Sequence, residues 1–269
     1  MKTIIANWKA NPTTLEDALD LFDFYLSEIS KYKNISLIVC PPFVFIEELV
    51  NKLAANGDIN NLRLGAQDLF WEKAGPYTGS PSSTLGQPKV LLGEVSVDML
   101  KNFNISHALV GHSDRRYKMA ETDEMINKKI KAALAANIIP VLLVGERNKN
   151  DERAVVLEQQ LTADLDSLAA EQISKILITY EPVWAISTTP GAEPDTPEST
   201  LEAVEIINEF LSKTYNLKPT TCLYGGSVNE NNVVDFLKHL EISGAVIGGA
   251  SLRKGEFAEM LGRVNNINR

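Results

Sequence analysis

Four polar side chains have the types and positions to do chemistry. Asn7 and Lys9 stand near the N-terminus, His112 lies within Gly111-His112-Ser113-Asp114-Arg115-Arg116, and Glu181 directly precedes Pro182-Val183-Trp184. In one pocket, these would combine a carboxylate base, an imidazole and an ammonium, the groups needed to move a proton and stabilise the anion left behind. Two glycine-bearing turns, Tyr224-Gly225-Gly226-Ser227 and Gly248-Gly249-Ala250-Ser251, let backbone N–H groups come close to a ligand. A helix N-terminus after such a turn adds positive potential, so the pair makes a phosphate site without a cluster of lysines. Each feature also has a plain reading when taken singly. A lone lysine is usually a surface group, a histidine at a helix start a structural hydrogen-bonding group, a glutamate on a rim an arginine's partner, and a Gly-Gly pair a turn. What favours chemistry is their joint occurrence, in order, at the ends of successive apolar runs.

Those runs are the elements that must position the chemistry. β-type segments recur at 3–6, 36–40, 63–66, 107–110, 138–144, 175–180, 220–224 and 244–247, most of them continuously apolar and β-branched, as strands buried on both faces are. Helical spacing fills the intervals. Leu15, Ala18, Leu19, Phe22, Leu26 and Ile29 predict one apolar helix face, capped by Thr13 or Thr14. Met125, Ile126, Ile130 and Leu134 predict another, and Leu201, Val204, Ile207 and Leu211 a third, opened by Thr196-Pro197-Glu198. Eight strand–helix repeats in about 250 residues predict an α/β protein with a parallel sheet, closed as a (β/α)8 TIM barrel, with a doubly wound open sheet as the competing arrangement. No Gly/Ser/Pro linker divides the chain, so one domain over 1–269 is expected. In a barrel these polar residues, all at C-terminal strand ends, converge on one mouth.

Composition narrows the function classes. The 269 residues are 44% hydrophobic and 23% charged, the balance of a soluble globular protein, and the formal charge of −9 argues against generic binding to nucleic acid or anionic membrane. The N-terminal apolar run stops at Asn7-Trp8-Lys9, too early for a signal peptide, and no apolar stretch approaches a membrane span. Cys40 and Cys222 sit in apolar segments and are expected as buried thiols of a cytoplasmic protein. No zinc spacing, phosphate-binding P-loop or dinucleotide fingerprint is present. An anionic substrate must therefore be held against the overall field by Lys9 and backbone N–H groups.

The ordered motifs resemble the triosephosphate isomerase family over nearly the whole chain. They run through N-W-K at 7–9, Cys40-Pro41-Pro42-Phe43, G-A-Q-D at 65–68, G-P-Y-T-G at 75–79, G-H-S-D-R-R at 111–116, E-T-D-E at 121–124, V-G-E at 144–146, Y-E-P-V-W-A-I at 180–186, Y-G-G-S-V at 224–228 and G-G-A-S-L at 248–252. The resemblance implies a cofactor-free, metal-free aldose–ketose isomerase converting D-glyceraldehyde 3-phosphate to dihydroxyacetone phosphate through an enediolate. It implies Glu181 as base, His112 as neutral electrophile at the carbonyl, Lys9 as stabiliser of the enediolate, and Asn7 as the group orienting substrate and lysine. Backbone N–H groups of Ser227, Gly248 and Gly249, joined by Ser187 when the sixth loop closes, are implied to hold the phosphate. The family also implies a homodimer, with Thr78 near the partner's active site.

Three places depart from the family pattern. The sixth loop reads Ala185-Ile186-Ser187-Thr188-Thr189-Pro190-Gly191-Ala192-Glu193-Pro194 where members usually have A-I-G-T-G-K; prolines restrict its hinges and Glu193 adds negative charge near the ligand's lid. Related isomerases of four-carbon erythrulose phosphates have a Pro/Ala-rich loop of similar character here, which makes a tetrose phosphate the alternative substrate and an inert sugar-phosphate-binding paralogue the third reading. Asp114 stands where the family usually has glutamate and is expected to loosen a pair with Lys9 modestly. The stretch from Ser80 to Leu92 (SPSSTLGQPKVLL) is expected as an insertion bearing on the dimer interface, its apolar end at Val90, Leu91 and Leu92 favouring burial.

Overall fold

Strand by strand, burial on both faces is what the apolar runs deliver. In the computed structural model, which describes residues 1–57, 59–72 and 92–267, eight parallel strands form in chain order: β1 (Lys2–Asn7), β2 (Ile35–Cys40), β3 (Leu62–Ala66), β4 (His107–Val110), β5 (Ile139–Val144), β6 (Leu177–Tyr180), β7 (Cys222–Tyr224) and β8 (Ile242–Ile247). Each pairs with its neighbours in sequence, and β8 closes on β1 through Thr3 opposite Gly244 to Ala6 opposite Ile247, so the sheet is a closed barrel and not the open alternative. Alternation along the strands divides the core. Ile5, Ile38, Cys40, Leu109, Val141, Leu143, Leu223 and Val246 form one cluster, filling the barrel, while residues such as Ile4, Leu37, Val39 and Leu142 pack outward against helices. Cys40 and Cys222 are both buried and unbridged, and burial raises both thiol pKa values, that of Cys222 to about 12.

The strand ends differ from the sequence expectation where the chain is committed elsewhere. The sixth strand starts at Leu177 and not 175, because Lys175 and Ile176 donate their N–H groups to Gln172 and Ile173. The seventh starts at Cys222 because the Thr220 N–H is taken by the Asn208 side chain. The fifth starts one residue late because Ile138 bonds back to Ala133.

Helices α1 (Leu15–Ile29), α2 (Ile46–Ala55), α3 (Val97–Asn102), α4 (Asp123–Ala135), α5 (Arg153–Asp164), α6 (Ala170–Ile173), α7 (Pro197–Tyr215), α8 (Val233–Leu237) and α9 (Lys254–Asn266) fill the intervals. Thr14 caps α1 by accepting the Asp17 N–H, and Thr196 caps α7 with Pro197 in its first turn. Leu15 is exposed, its place in the buried face of α1 taken by Leu21 and Tyr25. In α4 the buried face includes Lys129, whose Nζ lies 2.6 Å from Asp68 and 2.5 Å from Glu121. A buried ammonium is tolerable only with such partners. Among the described residues no helix is long and apolar enough to cross a membrane.

Candidate active site

At the end of β1, Lys9 has φ +53°, a left-handed conformation that is unfavourable for a side chain with a Cβ and persists when neighbours enforce it. Two amide side chains do so. Asn7 Oδ1 accepts the Lys9 N–H at 3.1 Å, and Gln67 Nε2 donates to the Lys9 carbonyl at 2.7 Å and to that of Cys40 at 3.0 Å. The ammonium reaches Asp114 Oδ2 at 2.9 Å. Asp114 opens a π-helical turn (Asp114–Lys118), and its carboxylate, shorter than a glutamate's, is within hydrogen-bond distance of the lysine. Burial raises the Asp114 carboxyl pKa, but hydrogen bonds from Lys118 and Lys9 outweigh it and hold the group at about 2.

His112, after β4, and Glu181, after β6, meet across the end of the intervening β5. The Asp114 N–H donates to His112 Nδ1 at 3.0 Å, which makes Nδ1 a lone-pair acceptor and assigns the ring proton to Nε2. That Nε2 faces Glu181 Oε1 at 3.2 Å. The other oxygen, Oε2, accepts the Ser113 N–H at 2.8 Å. Glu181 is only 3% exposed, so this carboxylate, bonded by the Ser113 N–H and facing the His112 ring, is shielded from water. Its backbone is fixed by bonds on both sides, Glu181 N–H to Val144 and Val183 N–H to Glu146. The close passage of that backbone explains one glycine. A Cβ on Gly145 would collide with the Glu181 carbonyl. Glu146 anchors the segment after Glu181, its Oε1 accepting from Tyr180 OH at 2.7 Å, Trp184 Nε1 at 3.1 Å and Arg153 Nε at 3.1 Å. The Tyr180 hydroxyl pKa is pushed up, first by burial and then by that carboxylate.

At the glycine end, Gly248 lies close enough to Lys9 that an added Cβ would stand 3.8 Å from its Cε. The Ser187 N–H donates to Ser227 Oγ at 2.7 Å and the Ser227 N–H to the Ala185 carbonyl at 3.3 Å. Both N–H groups expected to hold a ligand from this side therefore have protein acceptors and must exchange them to do so. Glu193 is not a lid charge facing the cavity. Its carboxylate lies 2.5 Å from Lys149 Nζ, while its N–H donates to Trp184.

All eight residues singled out by sequence, Asn7, Lys9, His112, Glu181, Ser187, Ser227, Gly248 and Gly249, line one cavity of about 300 Å³ at the C-terminal mouth of the barrel. Sequence reasoning assigned no role to Gln67 or Glu146, although both lie in quoted motifs, and it missed Asn229 and Arg253 on the cavity wall. An asparagine or arginine just beyond a glycine turn carries no distinguishing spacing. Thr78 and residues 80–91 lie outside the described residues. Leu92 is described and is 91% exposed in the single chain.

The sequence model of the triosephosphate isomerase family matches residues 2–87 and 90–264, its break falling within the stretch from Ser80 to Leu92. Proteins called triosephosphate isomerase are similar along almost their whole lengths. That of Dictyoglomus turgidum is 38% identical over 97% of this chain and 98% of its own. That of Dictyoglomus thermophilum is 39% identical over 95% and 96%, and that of Endomicrobium trichonymphae 37% identical over 95% of each. With the closed eightfold barrel and this breadth of similarity, the chain belongs to the triosephosphate isomerase family.

Proposed function

We propose that this chain interconverts D-glyceraldehyde 3-phosphate and dihydroxyacetone phosphate by proton transfer between adjacent carbons. The observation that carries the reading is the buried Glu181 carboxylate set 3.2 Å from His112 Nε2, in one cavity with Lys9 and two glycine turns. Glu181 takes the proton from the carbon beside the carbonyl, and the C–H electron pair moves into the new C=C bond as the carbonyl oxygen becomes negative. His112 donates its Nε2–H to that oxygen, the only orientation its Nδ1 contact with Asp114 leaves. The Lys9 ammonium stabilises the enediolate; at ~4 Å and an effective dielectric of ~20, such a pair is worth about 4 kcal/mol before desolvation. Glu181 then gives the proton to the former carbonyl carbon, while the hydroxyl on the first carbon loses its proton and becomes the new carbonyl; that proton restores the one His112 gave to the first oxygen, so both residues end as they began. Asn7 keeps Lys9 in its left-handed conformation and so aims it.

Backbone N–H groups of Gly248 and Gly249 hold the phosphate, with those of Ser187 and Ser227 joining once released from Ser227 Oγ and Ala185. Their release couples phosphate binding to movement of the sixth loop, which then excludes water from the enediolate. The free, buried Cys40 and Cys222 fit a reducing, cytoplasmic setting. A homodimer formed around Thr78, with the stretch from Ser80 to Leu92 at its interface, gives the exposed Leu92 an apolar partner; mass measurement in solution tests it.

A side-by-side kinetic panel of triose and tetrose phosphates tests the substrate. The expected outcome is a higher kcat/KM for the triose phosphate than for every four-carbon phosphate. The proline-rich sixth loop favours the tetrose reading, and a tetrose preference in that panel overturns the triose one.

A further inference from the structure

Among the described residues lining the cavity, two carry a permanent positive charge, Lys9 and Arg253. The Lys9 ammonium is engaged by Asp114 beside His112, at the proton-transfer end. Arg253 stands at the glycine end. Its Nη1 donates to the Gly249 carbonyl at 3.2 Å, and a Cβ added to Gly249 would lie 3.8 Å from the same nitrogen, so the guanidinium covers that glycine. Its Nη2 lies 2.5 Å from Glu256 Oε2, which fixes the plane of the fork. Each of these nitrogens carries a second N–H besides the one so used, and a planar fork suits phosphate oxygens. With 55% of its side chain exposed, the guanidinium meets an entering anion without first being uncovered.

We propose that Arg253 is a substrate-contacting residue that grips the phosphate group beside Gly249 and thereby selects phosphorylated over unphosphorylated sugars. This rests on the isomerase reading above and deepens it. In a chain of net charge −9, a guanidinium beside Gly249 adds to Lys9 and the backbone N–H groups that hold the anion against the overall field. The carboxylate of Glu256 orients the fork, and the phosphate supplies the second negative charge that this guanidinium accepts.

The test compares the full-length protein with Arg253→Gln and Arg253→Lys on D-glyceraldehyde 3-phosphate and on D-glyceraldehyde, which lacks the phosphate, and measures inorganic phosphate affinity by calorimetry. Arg253→Gln is expected to raise KM for the phosphorylated substrate by about 5- to 20-fold and to weaken inorganic phosphate similarly, the range of a partly exposed charge-assisted pair. Its kcat/KM on D-glyceraldehyde is expected to stay within about 2-fold of the unsubstituted protein, and Arg253→Lys to recover part of the phosphate affinity by keeping the charge without the fork. Unchanged phosphate affinity in Arg253→Gln overturns the proposal, as does an equal loss on both substrates, which marks local disruption. If the unsubstituted protein turns over no triose phosphate, the isomerase reading fails, while the phosphate affinities still decide the role of Arg253.

Discussion

The backbone N–H of Asp114 donates to Nδ1 of His112 across 3.0 Å, which leaves the protonated Nε2 to face Glu181. The carboxylate of the same residue holds Lys9 at 2.9 Å. One residue thus sets the imidazole through its main chain and the ammonium through its side chain, which separates the two roles experimentally.

Replacement of Asp114 by Asn leaves the backbone donor in place and removes the anion facing Lys9 and Lys118. Because the carboxyl pKa is held at about 2, below its unfolded value near 4, its contribution to stability is complete above pH ~4 and is lost as pH falls through 2. With a third of the side chain exposed, that contribution is about 1 kcal/mol or less. Urea unfolding should show Asp114→Asn less stable than the unsubstituted protein at pH 7, with the difference vanishing between pH 4 and 2. A difference that persists at pH 2 contradicts the ion-pair account.

Glu181→Gln keeps the shape of the side chain and removes the base, so turnover should fall by about 10²–10⁴-fold with the circular dichroism spectrum unchanged. Glu181→Asp retains a base but retracts it by one methylene, and a misplacement of about 1 Å is expected to cost on the order of 10²-fold in kcat. Unimpaired turnover in Glu181→Gln would exclude this carboxylate as the proton acceptor.

Gly145→Ala tests how closely the backbone of the base is packed. The new methyl collides with the Glu181 carbonyl, a main-chain atom that no rotamer change can move aside. Activity should drop by on the order of 10²-fold and thermal stability should fall by a few kcal/mol, measured by coupled assay and calorimetry. A variant with normal kcat would mean that the two strand ends can part without displacing the base.

His107, inside the barrel wall and bonded to Ser106 Oγ at 2.7 Å, is held at a pKa of about 4, first by burial and then by the charge of Arg63. Its folded value lies below the unfolded 6.5, so the unfolded chain binds the proton more readily. Stability therefore falls as pH drops from about 6.5 to 4, by on the order of 2–3 kcal/mol at most. Nuclear magnetic resonance titration should show the His107 ring still neutral at pH 5.5, and denaturant unfolding over the same range should show the matching loss. Protonation near 6.5 in the folded protein would contradict it.

Much of this was legible in the chain because two periodicities carry it. Continuous apolar runs mark strands buried on both faces, helical spacing marks what covers them, and eight repeats in this length favour closure. The polar residues at the strand ends, Asn7, Lys9, His112 and Glu181, were visible because they interrupt that pattern. Less visible were residues whose importance lies in where a backbone passes. Gly145 reads as a turn until the Glu181 carbonyl is seen against it, and Gln67 is one amide among many until it is found tied to Lys9 and Cys40. Lys129 interrupts a helical face and would be read as exposed, yet Asp68 and Glu121 receive it inside the protein.

The sequence by itself determined the alternation of strands and helices, the order of the elements and the candidate acid–base residues, because hydrophobic period and residue chemistry are local properties. Only the tertiary structure decided that the sheet closes on itself, which ring nitrogen of His112 faces Glu181, that Asp114 reaches Lys9 despite its shorter side chain, that Glu193 pairs with Lys149, and that Arg253 joins the cavity. Each of these depends on distances between residues far apart in the chain or on how a single turn is wound. Hydrogen bonds and ion pairs are short-ranged and directional, so a sequence that names the partners leaves their meeting to the fold.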